Sequence, residues 1–385
     1  MLKVFVPKER RSGETRVAAT PDTVKKLVKE NIEVVVEAGA GLAASFLDKT
    51  YEAAGAKLTS DLAGAWSSAD IVLKVTEPGE NPDLGKHEAD ALKPGAVLFG
   101  VISPHRNVEL VKRLAANKVS TLALELVPRI TRAQSMDVLS SQANIAGYKA
   151  VLLAAANLPK YFPLLMTAAG TIQPSRVVIM GAGVAGLSAI ATARRLGAVV
   201  EVSDIRPAVK EQVQSLGAKF IDLPNLESGE GQGGYAKEMS AEFIQKQQAI
   251  IKARIVQADV VITTALVPGR PAPRLVTADM VEGMKPGSVI VDLAVEQGGN
   301  CELSEPGKTV VKNGVKIIGE FNLPASLPYD ASTLFARNTL ALLQLIAKGG
   351  ELKLDLADEV IKGTLLTHDG AITHGPTSDL AARPS

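Results

Sequence analysis

The apolar run RVVIM, residues 176–180, leads straight into Gly-Ala-Gly-Val-Ala-Gly, which places glycines at Gly181, Gly183 and Gly186; LSAIATARRLGA follows at once. Three glycines at this spacing, between a strand and a helix, have separate tasks. The first allows a tight turn, the second lets backbone approach a pyrophosphate, and the third lets the helix pack on the strand. The helix start then offers unpaired N–H groups and the positive end of its dipole to phosphate oxygens. Asp204 ends the next apolar run, VVEVSD, where a carboxylate can accept hydroxyl protons from an adenosine ribose. The same carboxylate would repel a 2′-phosphate, so the motif favours NAD over NADP. Arg206, two residues on, could attract such a phosphate, stack over adenine, or be a surface charge.

A second polar concentration lies in PRITRAQSMDVLSSQANIAGYKAV, residues 128–151. Arg129, Arg132, Gln134, Ser135, Asp137 and Ser140 crowd hydrogen-bonding groups just ahead of an alanine-rich helix. Two readings stand side by side: a loop at a strand end facing a ligand, or a helix-capping loop with an Arg129–Asp137 pair. A third segment, GEGQGGYAKEM, carries four glycines next to Tyr235. Its composition fits either a closing loop or a surface linker.

The elements that must position these groups alternate almost throughout. KVFVPKE, IEVVVEAG, ADIVLKV, AVLFGVI and TLALELV read as strands, with TPDTVKKLVKEN and NVELVKRLAANK as helices between them; the first opens with a Thr cap and Pro at its first position. A long, mostly helical stretch runs from Ala133 to Phe162. Alternation then resumes through RVVIM, VVEVSD, KFIDL, ADVVITTAL, SVIVDLA and VKIIGE. Repeated strand–helix–strand units with short apolar strands imply parallel sheets covered on both faces. SSADIVLKVTEP with LKPGAVLFGVI resembles VQADVVITTALVP with MKPGSVIVDLA in order and spacing, either as an internal repeat or because α/β units look alike. The expected fold is α/β, with two doubly wound, Rossmann-like domains and a cleft between them. The expected boundaries are 1–135 plus 327–385 for the first domain and 136–326 for the NAD(H)-binding one. The last sixty residues, with the helix STLFARNTLALLQLIAKGG and a hairpin-like ELKLDLADEVIKGTLLTHDGAI, should pack back on the first domain.

Composition excludes several classes. A length of 385 residues suits two or three domains. With 46% apolar and 22% charged residues the chain is globular, and a formal net charge of +1 gives no field for nucleic acid or anionic lipid. One cysteine, Cys301, rules out an internal disulfide framework and a multi-Cys metal site, so no metal is expected. The opening MLKVFVPKERR puts charge directly after a short apolar run, unlike a signal peptide. The longest apolar stretch, Val151 to Gly170, is broken by Lys160 and two prolines, so no membrane span is expected and the chain should be cytoplasmic.

RAQSMDVLSSQANIAGYKAV resembles the signature loop of the NAD(H)-binding component, domain I, of proton-translocating NAD(P) transhydrogenase. The resemblance covers essentially the whole chain, including PKERRSGETRVAATP, GAGVAGL, GQGGYAKEMSAEF, ITTALVPGRPAP and VDLAVEQGGNCELSEPG. It implies an enzyme that passes hydride directly between NADH on this chain and NADP(H) on a partner subunit, coupled to proton translocation by a separate membrane subunit. It implies that Arg129 and Asp137 hold the nicotinamide carboxamide with help from Ser140, and that Gln134 reaches toward the partner's NADP(H). Ile130, Thr131, Ser135 and Met136 join that end of the site. Ala182, Val184, Asp204, Ile205 and Arg206 surround the phosphates and adenosine, Gly234 and Tyr235 belong to a loop over the nucleotide, and Thr264, Ala265 and Leu266 line it. A homodimer, peripheral on the inner face of the plasma membrane through its partners, is also implied. With the chain ending at Ser385 and no span of its own, the membrane and NADP-binding components are expected on separate polypeptides.

The alternative is an alanine dehydrogenase-type enzyme, which shares the pattern. Arg16 and Lys74 match positions that hold its substrate's carboxylate and carbonyl. Its histidine after AVLF, however, falls on Ser103, with His105 two positions late, and its aspartate before QGG falls on Glu296. Oxidative deamination needs a proton acceptor at the reacting carbon, and hydride exchange between two nicotinamides does not. His87, His368 and His374 are expected on the surface and Cys301 in a structural role. A non-catalytic NAD sensor is a further alternative, but the elaborate loop at the nicotinamide end exceeds what sensing adenosine requires.

Overall fold

The computed structural model describes residues 1–222, 241–267 and 270–383, and of 241–247 the backbone alone. The chain forms two compact units, Met1–Gln142 with Ala325–Ser385, and Ala143–Pro324.

In unit 1, strands β1 (Lys3–Val6), β2 (Glu33–Glu37), β3 (Lys57–Thr59), β4 (Ile71–Leu73), β5 (Val97–Gly100) and β6 (Ser120–Ala123) lie parallel in the order β6-β5-β4-β1-β2-β3. The C-terminal strands Leu365–His368 and Ala371–Ile372 extend the β6 edge antiparallel. Alternate side chains feed opposite faces, as the period of a strand requires: Val4 and Val6 enter one core, Phe5 the other. Strand β1 stops before Pro7, which lacks the N–H that a ladder needs. TLALELV is strand only to Ala123, because Leu124–Leu126 turn into a 3-10 helix. The hairpin-like reading of residues 351–372 also needs correction. A helix, Glu359–Thr364, interrupts it, capped by the Asp358 carboxylate, which accepts the N–H groups of Val360 (2.8 Å) and Ile361 (3.3 Å). One hairpin turns at Asp369–Gly370, both with positive φ, and Glu351–Leu352 pair back onto Ala347–Lys348 across Gly349 and Gly350.

Helix α1 (Val138–Asn157) carries the chain into unit 2. There β7 (Arg176–Met180), β8 (Val199–Ser203), β9 (Lys219–Phe220), β10 (Val260–Thr263), β11 (Val289–Asp292), β12 (Lys308–Lys312) and β13 (Val315–Gly319) stand in the order β9-β8-β7-β10-β11-β13-β12, with β12 alone antiparallel. Val177 and Ile179 enter one core, Val178 and Met180 the other. Order reverses at β7, from which the chain steps one way to β8 and the other way to β10; this is the switch point where open α/β sheets bind ligands. Among the described residues no helix is long and apolar enough to cross a membrane.

The sequence repeat has a geometric counterpart. The pairs β4–β5 and β10–β11 are each neighbouring and parallel. Ahead of each pair an aspartate binds the first N–H of the central strand: Asp70 takes that of Lys3 at 2.8 Å, and Asp259 that of Arg176 at 2.8 Å. Both KPG glycines, Gly95 and Gly287, are left-handed, with φ of 81° and 87°.

Candidate dinucleotide site

At the end of β7 each glycine of GAGVAG has a separate steric reason. Gly181 has φ 104° and donates its N–H to the Ser203 carbonyl at 2.8 Å; a Cβ there would lie 2.6 Å from Thr264 Oγ1. A Cβ on Gly186 would lie 1.9 Å from the Gly181 carbonyl oxygen. Helix α2 (Val184–Arg195) can therefore begin against the strand only if residue 186 is glycine. Gly183, the N-cap of α2, would meet nothing within 4 Å. The backbone is open at that point, and the first N–H groups of the helix have no intrahelical acceptor. The loop has the shape a pyrophosphate requires, and NAD(H) fits the residues present. Gly147 belongs to the same construction, since its Cβ would fall 2.0 Å from the Ala185 carbonyl oxygen, and beside it Ser188 Oγ donates to the Asn144 carbonyl at 2.7 Å. A glycine inside an alanine-rich helix was the signal for this close approach.

Asp204 is buried at the end of β8. Its Oδ2 accepts the Ala182 N–H at 2.7 Å, tying the carboxylate to the glycine loop, and Arg206 forks onto it, Nε to Oδ1 at 3.0 Å and Nη2 to Oδ2 at 2.8 Å. Burial pushes the Asp204 carboxyl up, but Arg206 and the two backbone N–H groups outweigh it and hold the carboxyl below the ordinary range. Asp204 is thus ionised, and both of its oxygens are engaged by Ala182 and Arg206. Arg206 is paired with it, which none of the sequence-based alternatives for that side chain anticipated. Ile205 is half-buried beside them and Val184 is 40% exposed at the start of α2.

Across β7, Thr264 Oγ1 lies 3.2 Å from the Met180 carbonyl and 3.1 Å from that of Gly181, so the segment after β10 is fastened to the glycine loop. Ala265 follows it, and Leu266 is 42% exposed despite being apolar. Unit 2 therefore gathers Gly181, Ala182, Gly183, Gly186, Asp204, Arg206 and Thr264 at one strand end.

The residues expected at the nicotinamide end lie in unit 1, Arg129 to Asp137 directly ahead of α1 and Ser140 in its first turn. Thr131–Met136 form a 3-10 helix, with Ala133 and Met136 buried and Ile130 half-buried; Arg129, Thr131, Gln134 and Ser135 are exposed. Asp137 accepts the Ser140 N–H at 2.9 Å and the Ser140 hydroxyl at 2.6 Å, so its carboxylate caps α1. Two contacts from the C-terminal segment hold the turn: Arg132 forks onto Asp358 at 2.9 and 2.7 Å, and Asn338, on helix α3 (Pro328–Ile346), donates to the Ser135 carbonyl at 2.7 Å. The Gln134 side chain makes no hydrogen bond among the described residues. Gly234 and Tyr235, expected in a closing loop, lie outside the described residues.

The positions shared with alanine dehydrogenase are engaged within this chain. Lys74 is 1% exposed, with Nζ 3.1 Å from both Glu9 Oε2 and Glu88 Oε2. Burial lowers its pKa, but the two carboxylates prevail and hold it above the ordinary lysine range. Glu9 also accepts the Val75 N–H (2.6 Å) and the Thr76 hydroxyl (2.7 Å), while Glu88 accepts from Asn81 at 3.1 Å. The guanidinium of Arg16 forks onto Glu14 at 2.8 and 2.7 Å and donates to Gln142 at 2.9 Å. A cavity of about 370 Å³ borders Lys74, walled by Arg10, Arg11, Glu77, Glu80 and His87 among others, so its charges largely offset one another. Ser103 has φ 51° and donates its N–H to Glu125. His105 is exposed, and Glu296 accepts the Asn322 N–H at 2.9 Å. His87, His368 and His374 are half-buried: His87 accepts the Ala89 N–H at 3.1 Å, His368 pairs with Ser120 at 2.9 Å, and His374 with Thr377 at 2.7 Å. Cys301 is fully buried, and burial pushes its thiol up, as suits a packing role.

Comparison with known proteins agrees with this geometry. The model of the alanine dehydrogenase/PNT N-terminal domain matches residues 5–146, and that of the C-terminal domain matches residues 150–375. The chain is 52% identical over 377 residues to an NAD(P) transhydrogenase alpha-subunit polypeptide of Rhodospirillum rubrum, covering 97% of this chain and 98% of that one. The crystal structure of transhydrogenase from Sinorhizobium meliloti superposes with a TM-score of 0.87 at 48% identity, over 96% of this chain and 99% of that one. Alanine dehydrogenase of Halomonas elongata is more distant, at 32% identity over 380 residues, 97% of this chain and 95% of that one.

Proposed function

Since this chain belongs to the alanine dehydrogenase/PNT family, and within it to the transhydrogenase alpha subunits rather than the alanine dehydrogenases, we propose that it binds NAD(H) in unit 2 and exchanges hydride with NADP(H) held by a partner subunit. The observation that carries this is the glycine loop with its ionised ribose acceptor: open backbone at Gly183, α2 seated at Gly186, and Asp204 bonded to Ala182. Bound NADH supplies the hydride from its nicotinamide C4, and the chain's residues bind and orient the nucleotide. Arg129, Ser140 and Asp137 act at the carboxamide, Ile130, Thr131, Ser135 and Met136 line that end, and Gln134, exposed and uncommitted, reaches toward the partner. No proton leaves or joins the reacting carbon, so a site without a base at Ser103 suffices. Lys74 and Arg16 are paired with Glu9, Glu88 and Glu14 inside the protein, which supports this reading over an amino-acid substrate. The assembly we infer is a homodimer, attached at the inner face of the plasma membrane through an NADP(H)-binding subunit and a proton-conducting membrane subunit.

The test combines the purified chain with those two subunits. Transhydrogenation appears in the mixture, and the chain alone neither reduces NAD with L-alanine nor consumes NADH with pyruvate and ammonia. Gln134→Asn keeps the amide but shortens its reach by one methylene. It leaves NADH affinity within about threefold and lowers transhydrogenation at least ~100-fold, roughly 2.7 kcal/mol of transition-state stabilisation. Equal losses in binding and rate would assign Gln134 to the nucleotide or the loop fold instead.

A further inference from the structure

Beyond β11 the chain makes a sharp double turn, Gly298 and Gly299 with φ of 99° and 83°, and delivers Asn300 into a fully buried position. Two layers of hydrogen bonds meet there. Below, the buried carboxylate of Asp292 accepts the N–H groups of Ala294 (3.0 Å) and Asn300 (3.2 Å) and the Thr263 hydroxyl (2.9 Å) on Oδ1, and the Cys301 N–H (3.0 Å) and Ser304 hydroxyl (2.7 Å) on Oδ2. Above, the Asn300 side chain grips one residue's backbone from both sides: Oδ1 accepts the Ala265 N–H at 3.0 Å, and Nδ2 donates to the Ala265 carbonyl at 2.9 Å and to the Pro273 carbonyl at 2.8 Å. A primary amide supplies the acceptor and two donors that this site uses, and no other side chain of that size does.

We infer that Asn300 is the positioning residue for the nicotinamide half of the dinucleotide site, acting through the Ala265 backbone and the neighbouring Leu266; the inference rests on the proposal that unit 2 binds NAD(H). The sheet order supports the assignment to that half. The pyrophosphate loop ends β7, Asp204 marks the adenosine side at β8, and Ala265 follows β10 on the opposite flank, where the second half of a dinucleotide must lie. Leu266, exposed and apolar beside the gripped backbone, is the surface such a half would cover. Asn300 touches no part of the nucleotide's path itself; it fixes the backbone that does.

The test measures two affinities on Asn300→Ala and on the milder Asn300→Ser, in the full chain: one for NADH and one for ADP-ribose, which lacks nicotinamide. ADP-ribose affinity reports whether the glycine loop and Asp204 remain folded. We expect NADH binding to weaken about 10-fold more than ADP-ribose binding in at least one variant, with a changed emission spectrum for the bound dihydronicotinamide. If the two ligands weaken by factors within threefold of each other in both variants, Asn300 serves only the general fold and the inference is overturned. If the unaltered chain binds neither ligand, the dinucleotide reading itself fails, and the inference with it.

Discussion

The two units build the same frame and put opposite contents into it. In each, the central strand receives an aspartate on its first N–H, Asp70 on β1 and Asp259 on β7. In each, the next strand ends on a carboxylate that accepts an N–H from beyond the central strand and is forked by an arginine. Glu37 takes the Lys8 N–H at 2.9 Å and Arg10 at 2.8 and 2.6 Å; Asp204 takes the Ala182 N–H at 2.7 Å and Arg206 at 3.0 and 2.8 Å. The difference lies in the segment after the central strand. Unit 2 has GAGVAG and a helix seated on glycine. Unit 1 has Pro7-Lys8-Glu9-Arg10-Arg11, no glycine among these residues, and Lys74 locked between Glu9 and Glu88. Backbone comes close to a pyrophosphate where no side chain stands in the way, so unit 2 offers the opening that the proposed nucleotide needs, and unit 1 has a charged interior at the equivalent place.

The largest effect expected from this contrast is on stability, in unit 1. Lys74→Met leaves two buried carboxylates facing each other without their shared cation, a loss of about 3–5 kcal/mol in chemical unfolding. NADH affinity, measured on the folded variant, should stay within about twofold. A large loss of binding would mean that the unit 1 interior contributes to the nucleotide site.

Glu125 gives a somewhat smaller effect that depends on pH. Its carboxyl is pushed up to about 7, first by burial and also by Glu77, against the opposing N–H groups of Ser103 and Ile102. Its Oε2 is buried with no hydrogen-bond partner. Because the folded carboxyl holds its proton more tightly than the unfolded one, its contribution is fully present below the ordinary carboxyl range and is lost as pH rises through about 7. Glu125→Gln should therefore match the unaltered protein at pH ~5 and exceed it at pH ~8 by up to about 3 kcal/mol. The same difference at both pH values would mean that Glu125 is ionised throughout.

The smallest effect separates the paired carboxylates directly. Asp204→Asn should weaken NADH binding about 10-fold, near 1.4 kcal/mol, and improve NADPH binding, because Arg206 is released from its carboxylate. Glu37→Gln, the corresponding change in unit 1, should leave both affinities within about twofold. Calorimetric titrations of the two variants with both nucleotides check this. Equal responses would erase the distinction between the units.

Much of this was legible in the sequence where local rules govern. GAGVAG, Asp204 and the strand runs are contiguous signals, and their geometry followed from glycine sterics and strand period. The repeat around the KPG turns was visible too, but only the equivalent aspartate bonds distinguished shared architecture from chance likeness. What stayed hidden depends on partners distant in sequence. Lys74 is closed off by residues 65 positions before it and 14 after it, and Asn300 reaches back to Ala265. No motif announces such contacts, since each is set by how strands neighbour one another. The helix at Glu359–Thr364 was missed for the opposite reason: its cap, Asp358, sits in a run whose alternation reads as strand.

The most direct measurement uses NADH deuterated at the transferred position of nicotinamide C4, given to the chain with its NADP(H)-binding and membrane subunits and NADP+. Direct exchange between two bound nicotinamides predicts that essentially all the deuterium lost from NADH appears at C4 of NADPH, with none in water. Deuterium in the solvent, or no transfer to NADP+ at all, would contradict direct exchange.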